Sequence, residues 1–126
     1  MIKLSDRSLS LLKGVHPDLV KVVHRAAEIS DIDFRVNEGL RTLARQKQLV
    51  ASGASKTMKS RHLDGHAVDL VVLVDGEVRW DWPLYYKLAK VVKQAAIDVG
   101  VTVEWGGDWK SFKDGPHWQL PWSKYP

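Results

Sequence analysis

The run HAVDLVVLV at positions 66–74 leads straight into Asp75-Gly76 and then EVRW. No other stretch limits the fold as much. A short, Val- and Leu-rich run that stops at Asp-Gly reads as a buried strand entering a hairpin, because Asp-Gly tolerates the positive φ angles of a two-residue turn. Side chains alternate along a strand, so Asp69, Val71 and Leu73 share one face and Val68, Leu70 and Val72 the other. One carboxylate therefore emerges near the start of an apolar strand. Left bare it is costly to bury, and a metal ion or a cationic partner offsets that cost.

Around the hairpin, helical and strand patterns alternate. HPDLVKVVHRAAEIS reads as a helix with Pro17 in its first turn and Leu19, Val22, Val23, Ala26 and Ala27 on one apolar face; His24 falls off that face and is expected to be exposed. DFRVNEG reads as a short strand, and LARQKQLVAS as a helix capped by Thr42 and ended by Gly53. SGASKTMKSRHLDG reads as a loop. DWPLYYKLAKVVKQAAIDVG is the clearest helix, with Asp81 as its cap, Gly100 as its end, and Leu84, Leu88, Val91, Val92, Ala95 and Val99 facing inward. VTVEW and HWQL are expected strands, joined by the long loop GGDWKSFKDGP. About three helices flanking a small, mostly antiparallel sheet predict an α+β fold. No repeat or linker interrupts the chain, so residues 1–126 are expected to form one domain without a separate wall-binding module.

Composition narrows the chemistry. The 126 residues are 44% hydrophobic, enough for an ordinary core. With no cysteine, a metal site has only His, Asp and Glu to draw on. No apolar run approaches the roughly 20 residues of a membrane span, and the opening MIKLSDRSLSLLKGVHPDL lacks the apolar core of an export signal. The net charge of +4 suits an anionic partner such as nucleic acid, a membrane surface or a cell-wall polymer. Five of the six tryptophans lie after position 80, irregularly spaced or beside Gly and Pro, so some are expected to line a groove.

Gly65 permits a sharp turn that folds His62 back over Asp69. Two protein ligands do not complete a zinc site. His117, at the start of HWQL, is the distant histidine in a comparably ordered setting. His62, Asp69 and His117 then make a His-Asp-His set with one open position, and Asp114, three residues before His117, is within reach of a general base's position. HLDGH looks like the helical zinc motif His-Glu-x-x-His but lacks its Glu, and Gly65 argues against a helix there. On spacing alone, the competing reading stays open: His62 and His66 as loop residues, and Asp69 paired with an arginine.

SRHLDGHAVD fits Ser-x-His-x-x-Gly-x-Ala-x-Asp. It resembles the zinc D-alanyl-D-alanine carboxypeptidase and L-alanyl-D-glutamate endopeptidase family of cell-wall peptidases. EGLRT is similar to the family's Gly-x-Arg-Thr segment, with Gln46 at the usual distance, and WGGDWKSFKDGPHWQL resembles the C-terminal block of the endolysin-type L-alanyl-D-glutamate peptidases. The likeness spans about positions 15 to 120, with the motifs in the family's order. It implies zinc ligands at His62, Asp69 and His117, a general base at Asp114 where many relatives carry Glu, and Arg41 at the developing oxyanion or the substrate. Ser60, Trp109 and Gln46 are expected substrate-binding residues. His66 and Asp64 occupy variable positions and are expected to be turn residues.

The function implied is zinc-dependent hydrolysis of the L-alanyl-D-glutamate bond of peptidoglycan stem peptides. The alternatives are a D,D-carboxypeptidase or dipeptidase acting on D-Ala-D-Ala termini, and a non-catalytic zinc-stabilised wall-binding domain. A nuclease would want a concentrated basic face, whereas the positive charges here are interleaved with acids, so no nucleic-acid partner is expected. Lys56, Lys59, Arg61, Lys110 and Lys113 lie in the two loops expected to flank the site, facing the anionic wall. The chain is expected to act as a monomer, made in the cytoplasm and reaching the wall by holin-type release.

Overall fold

In the computed structural model, which describes residues 1–55 and 57–126, four α-helices and five short strands are present among the described residues. The helices are α1 (Asp6–Leu11), α2 (Pro17–Ile29), α3 (Leu43–Ala51) and α4 (Trp82–Val99). The strands are β1 (Phe34–Glu38), β2 (Ala67–Val74), β3 (Glu77–Arg79), β4 (Glu104–Trp105) and β5 (His117–Gln119). Every strand pairing is antiparallel, in the order β1-β2-β5-β4, with β3 also on β2. This is the expected α+β architecture with one helix more. α1 spans only 6 residues and carries too little periodicity to be read from sequence; Ser5 caps it by accepting from Ser8 N, and Ser8 Oγ accepts from Val36 N at 3.0 Å, tying α1 to β1.

β2 is the axis of the molecule. Along one edge it pairs with β1, from Phe34↔Val72 to Glu38↔Asp69, with an irregularity between Val36 and Glu38. β5 pairs with its start, Ala67↔Gln119 to Asp69↔His117, and β3 with its end, Val72↔Arg79 to Val74↔Glu77. Val68, Leu70 and Val72 face the core with Leu19, Val22, Val23 and Ala26 of α2 and Leu88, Val92 and Ala95 of α4. The same alternation on β5 sends Trp118 into the core, which leaves His117 and Gln119 beside Asp69 on the opposite face.

α4 is rotated relative to its sequence pattern. Its buried residues are Tyr85, Leu88, Ala89, Val92, Ala95 and Ala96, while Leu84, Val91 and Val99 are only partly buried. Tyr85 turns inward because its hydroxyl donates to Arg79 O at 2.7 Å and accepts from Val72 N at 3.2 Å. The small Ala89, Ala95 and Ala96 present a flat surface for packing. Asp81 makes no side-chain cap; it pairs with Arg79 at 2.6 Å instead. Gly100 ends the helix in the left-handed region, as expected. Of VTVEW only Glu104 and Trp105 form a strand. The loop expected before β2 contains a 3-10 turn, Arg61–Asp64, and the loop before β5 contains another, Gly106–Asp108.

Candidate active site

The turn at Arg61–Asp64 forms because Ser60 caps it, its Oγ accepting from His62 N at 3.2 Å, and because Gly65 ends it at φ 76°. A side chain at Gly65 could not be accommodated: its Cβ would lie 2.2 Å from Gly14 O. This turn lays His62 over β2 while the β2–β5 pairing sets His117 opposite Asp69. Asp69 Oδ1 is then 3.2 Å from His62 Nε2 and 3.4 Å from His117 Nδ1. One ligand atom from each of the three residues lies within 4.8 Å of the others, so the set could hold a metal ion.

The outer nitrogens define what the inner ones can do. His62 Nδ1 is 2.8 Å from Gly39 O, an acceptor only, so Nδ1 carries the proton and Nε2 is a lone pair in the neutral ring. His117 Nε2 is 2.8 Å from Gln119 Oε1, whose amide nitrogen donates to Glu104 at 3.3 Å; Nε2 carries the proton there and Nδ1 is the lone pair. When neutral, both imidazoles therefore aim lone pairs at a carboxylate oxygen, which is repulsive unless a proton or a cation lies between. Burial opposes charge on Asp69, but once the facing rings carry an inner proton, hydrogen bonds and charge from His117 and His62 outweigh it and hold the carboxyl well below the usual range. Burial alone would lower His117; the hydrogen bond and charge of Asp69 raise it above its ordinary value. These groups are arranged for a positive charge at their centre.

Arg41 follows β1 and is fixed on several sides. Its backbone N donates to His62 O at 2.8 Å, its Nε pairs with Glu38, and Nη1 donates to Gln46 Oε1 at 2.7 Å and Ser60 Oγ at 3.4 Å. Gln46, expected to bind substrate, is 0% exposed, and its Nε2 donates to Ser55 Oγ at 2.9 Å and to Thr57 O. It positions Arg41 from behind and holds Ser55 and Thr57. Ser60 and Trp109 do line the groove, and the Trp109 ring lies 5.0 Å from that of His117.

Asp114 reaches the groove from the loop before β5, where its backbone N donates to Gly106 O at 3.1 Å. A Cβ at Gly106 would lie 2.4 Å from Asp114 O, so this close approach requires glycine. Although part of the residue is exposed, burial of its carboxyl, followed by the charge of Asp69, raises the pKa above the usual aspartate value. The groove has a volume of about 980 Å³ and includes Arg41, Ser60, His62, Asp69, Asp114 and His117.

Of the basic loop residues, Lys59 and Lys113 line the groove, and Lys110 is exposed outside its lining. Lys56 falls outside the described residues. Arg61 departs from expectation. It is 2% exposed, donates to Leu120 O at 3.1 Å and to Tyr125 O, and lies 3.9 Å over the Trp122 ring. Its guanidinium pins the last residues to the site wall. Asp64 is a turn residue, its Oδ1 accepting from His66 N at 3.2 Å, and the His66 ring packs edge-on to His16. Trp109 and Trp122 line the groove, whereas Trp105 and Trp118 are core. Sequence reasoning missed Gln119 and Glu38. Gln119 was findable: two residues beyond His117 on one strand, it must share that face.

A triad able to hold an ion, a fixed guanidinium and a raised carboxyl around one groove have the make-up of a hydrolase centre. The chain belongs to the phage L-alanyl-D-glutamate peptidase family, which matches residues 1–119. It is 34% identical over 116 residues to the L-alanyl-D-glutamate peptidase of Escherichia phage T5, covering 89% of this chain and 85% of that protein. It is 32% identical over 110 residues to the peptidoglycan L-alanyl-D-glutamate endopeptidase CwlK of Bacillus subtilis, covering 75% of this chain and 65% of that one. The crystal structure of the L-Ala D-Glu endopeptidase ChiX of Serratia marcescens superposes with a TM-score of 0.92 at 50% identity, over 98% of this chain and 94% of that one.

Proposed function

We propose that the chain is a zinc-dependent peptidoglycan endopeptidase that hydrolyses the L-alanyl-D-glutamate bond of stem peptides. The observation that carries the metal assignment is the convergence of two imidazole lone pairs on the Asp69 carboxylate, with both rings locked by outer partners, Gly39 O and Gln119. Outer partners of this kind fix the tautomer of metal-binding histidines. Two nitrogens and one carboxylate oxygen suit zinc and leave a fourth position open.

When bound, zinc supplies Lewis acidity, polarising a carbonyl and favouring ionisation of water. The remaining work falls to the chain. Asp114 takes the proton of the attacking water and returns it to the leaving amine; its raised pKa moves it toward the range of a working base and acid. Arg41 faces the negative charge that develops on the carbonyl oxygen or holds a substrate carboxylate, and the contacts with Glu38, Gln46 and Ser60 fix its direction in advance. Lys59 and Lys113 draw the carboxylates of stem peptides into the groove. Ser60 and Trp109 shape its walls. The place of action is the cell wall, reached from the cytoplasm by holin-type release, and among the described residues no helix is long and apolar enough to cross a membrane.

Mass spectrometry of purified peptidoglycan after digestion tests the reading. Fragments ending in L-Ala and fragments beginning with D-Glu are expected. Release of terminal D-Ala alone would instead make the protein a D,D-carboxypeptidase.

A further inference from the structure

A second groove, of about 270 Å³, adjoins the first. Trp80, Trp82 and Tyr85 line it together with residues 113–116, and Lys113 and Asp114 belong to both grooves. We propose that this groove is a saccharide subsite, which holds the sugar ring that bears the stem peptide. The proposal rests on the endopeptidase reading and extends its substrate from a peptide to a glycopeptide.

Three observations point to a sugar. The first is the exposure of two indoles side by side: Trp80 is 63% and Trp82 40% exposed. Large aromatic surface left open beside a substrate groove is a binding platform rather than core. Each ring is backed by another, Trp80 stacked on Tyr85 at 6.5 Å and 8°, and Trp82 tilted against Tyr86 at 5.8 Å. The platform is thus set before a ligand arrives, which lowers the entropy cost of binding. A pyranose carries an apolar C–H face and a polar rim; the indoles suit the face, and Lys113 with the backbone of the loop suits the rim.

The second is the floor. Gly115 packs where a Cβ would lie 3.3 Å from Tyr85 and 3.4 Å from Trp82. Its missing side chain keeps the groove open beside Asp114.

The third is direction. β1 lies along one edge of β2, while β5 and β3 follow one another along the other. Arg41 comes from the β1 side, and the aromatic groove from the β3–β5 side. The His-Asp-His cluster stands between them. A stem peptide has the same polarity. Its glutamyl residue carries a free carboxylate, which suits Arg41, and its alanyl residue is joined to the sugar through a lactyl group. That sugar begins about two linkages from the scissile carbonyl, on the order of 7 Å for extended chain. Lys113 and Asp114, which line both grooves, make the two continuous.

The test uses the zinc-loaded enzyme and two substrates sharing one L-Ala–D-Glu bond: an N-acetylmuramyl tetrapeptide and the same tetrapeptide with an N-acetyl group in place of the sugar. The wild type should prefer the muramyl substrate by roughly tenfold in kcat/KM, mainly through KM. Trp80→Ala and Trp82→Ala should each remove most of that preference, while their rates on the N-acetyl peptide and their melting temperatures stay close to wild type. Equal wild-type rates on both substrates, or a proportionate loss on both in the variants, would overturn the subsite alone. If the wild type cleaves neither, the endopeptidase reading falls and the subsite with it.

Discussion

Gly65 and Arg41 mark how closely single residues are held around this site. At Gly65 the backbone sits at φ 76°, its carbonyl accepts from His16 N at 2.8 Å, and Gly14 O occupies the space of a Cβ. Gly65→Ala combines the left-handed cost of about 1–2 kcal/mol with a backbone clash. A destabilisation of at least that size is expected in the midpoint of denaturant unfolding, together with weaker metal binding as the His62 turn shifts. Arg41 contributes differently. Its Nε and Nη1 engage Glu38 and Gln46 at once, a geometry that a lysine ammonium cannot copy. Arg41→Lys should retain the fold and lose at least about tenfold in turnover. Steady-state hydrolysis of a stem peptide checks it, and unchanged turnover would remove Arg41 from the chemistry.

Elements carry these residues into register. β2 delivers Asp69, β5 delivers His117 and Gln119 to the same face, and the loop before β5 carries Asp114. Because one short segment holds both a proposed metal ligand and the proposed base, the two roles must be separated experimentally. Asp114→Asn keeps the size of the side chain but cannot accept the proton of water at neutral pH. It should lose about 10²–10⁴-fold in activity, the usual contribution of a general base, with its zinc content unchanged. Lysis rate and metal content measured on one preparation decide it. Near-normal lysis would pass the role to another group, and Glu104, which lines the groove and accepts from Gln119 at 3.3 Å, is the carboxylate to examine next.

For the whole molecule, the three residues of the cluster come from a turn, the central strand and the last strand, so an ion bound among them would tie distant segments together. Ligands that bind only the folded state stabilise it by mass action, by about 4 kcal/mol at a thousandfold excess over Kd. Removing zinc with a chelator should therefore lower the melting temperature by several degrees, and adding zinc back should restore it. His117→Ala should lose both the bound zinc and the response to chelator. A variant that kept full zinc occupancy at wild-type affinity would overturn the ligand assignment.

The sequence by itself determined what depends on neighbours a few residues apart. The β2–β3 hairpin follows from an apolar run ending in Asp-Gly. α2 follows from its apolar spacing behind Pro17, and α3 from the Thr42 cap. The motif SRHLDGHAVD marked two of the three residues of the cluster, and their closeness to each other is a local property of the turn at Gly65. Tertiary structure decided what depends on pairing across the chain. Only the β2–β5 register sets His117 against Asp69. The rotation of α4 depends on Tyr85 reaching Arg79 and Val72, which no helical periodicity encodes. Arg61 reads as a groove residue because polar side chains in polar loops are ordinarily exposed, and Gln46, on α3, because the family resemblance sets it beside Arg41. Both are buried because the fold brings partners to them: the carbonyls of Leu120 and Tyr125 for Arg61, and Arg41, Ser55 and Thr57 for Gln46. A buried polar group needs a partner, and folding brings that partner from elsewhere in the chain.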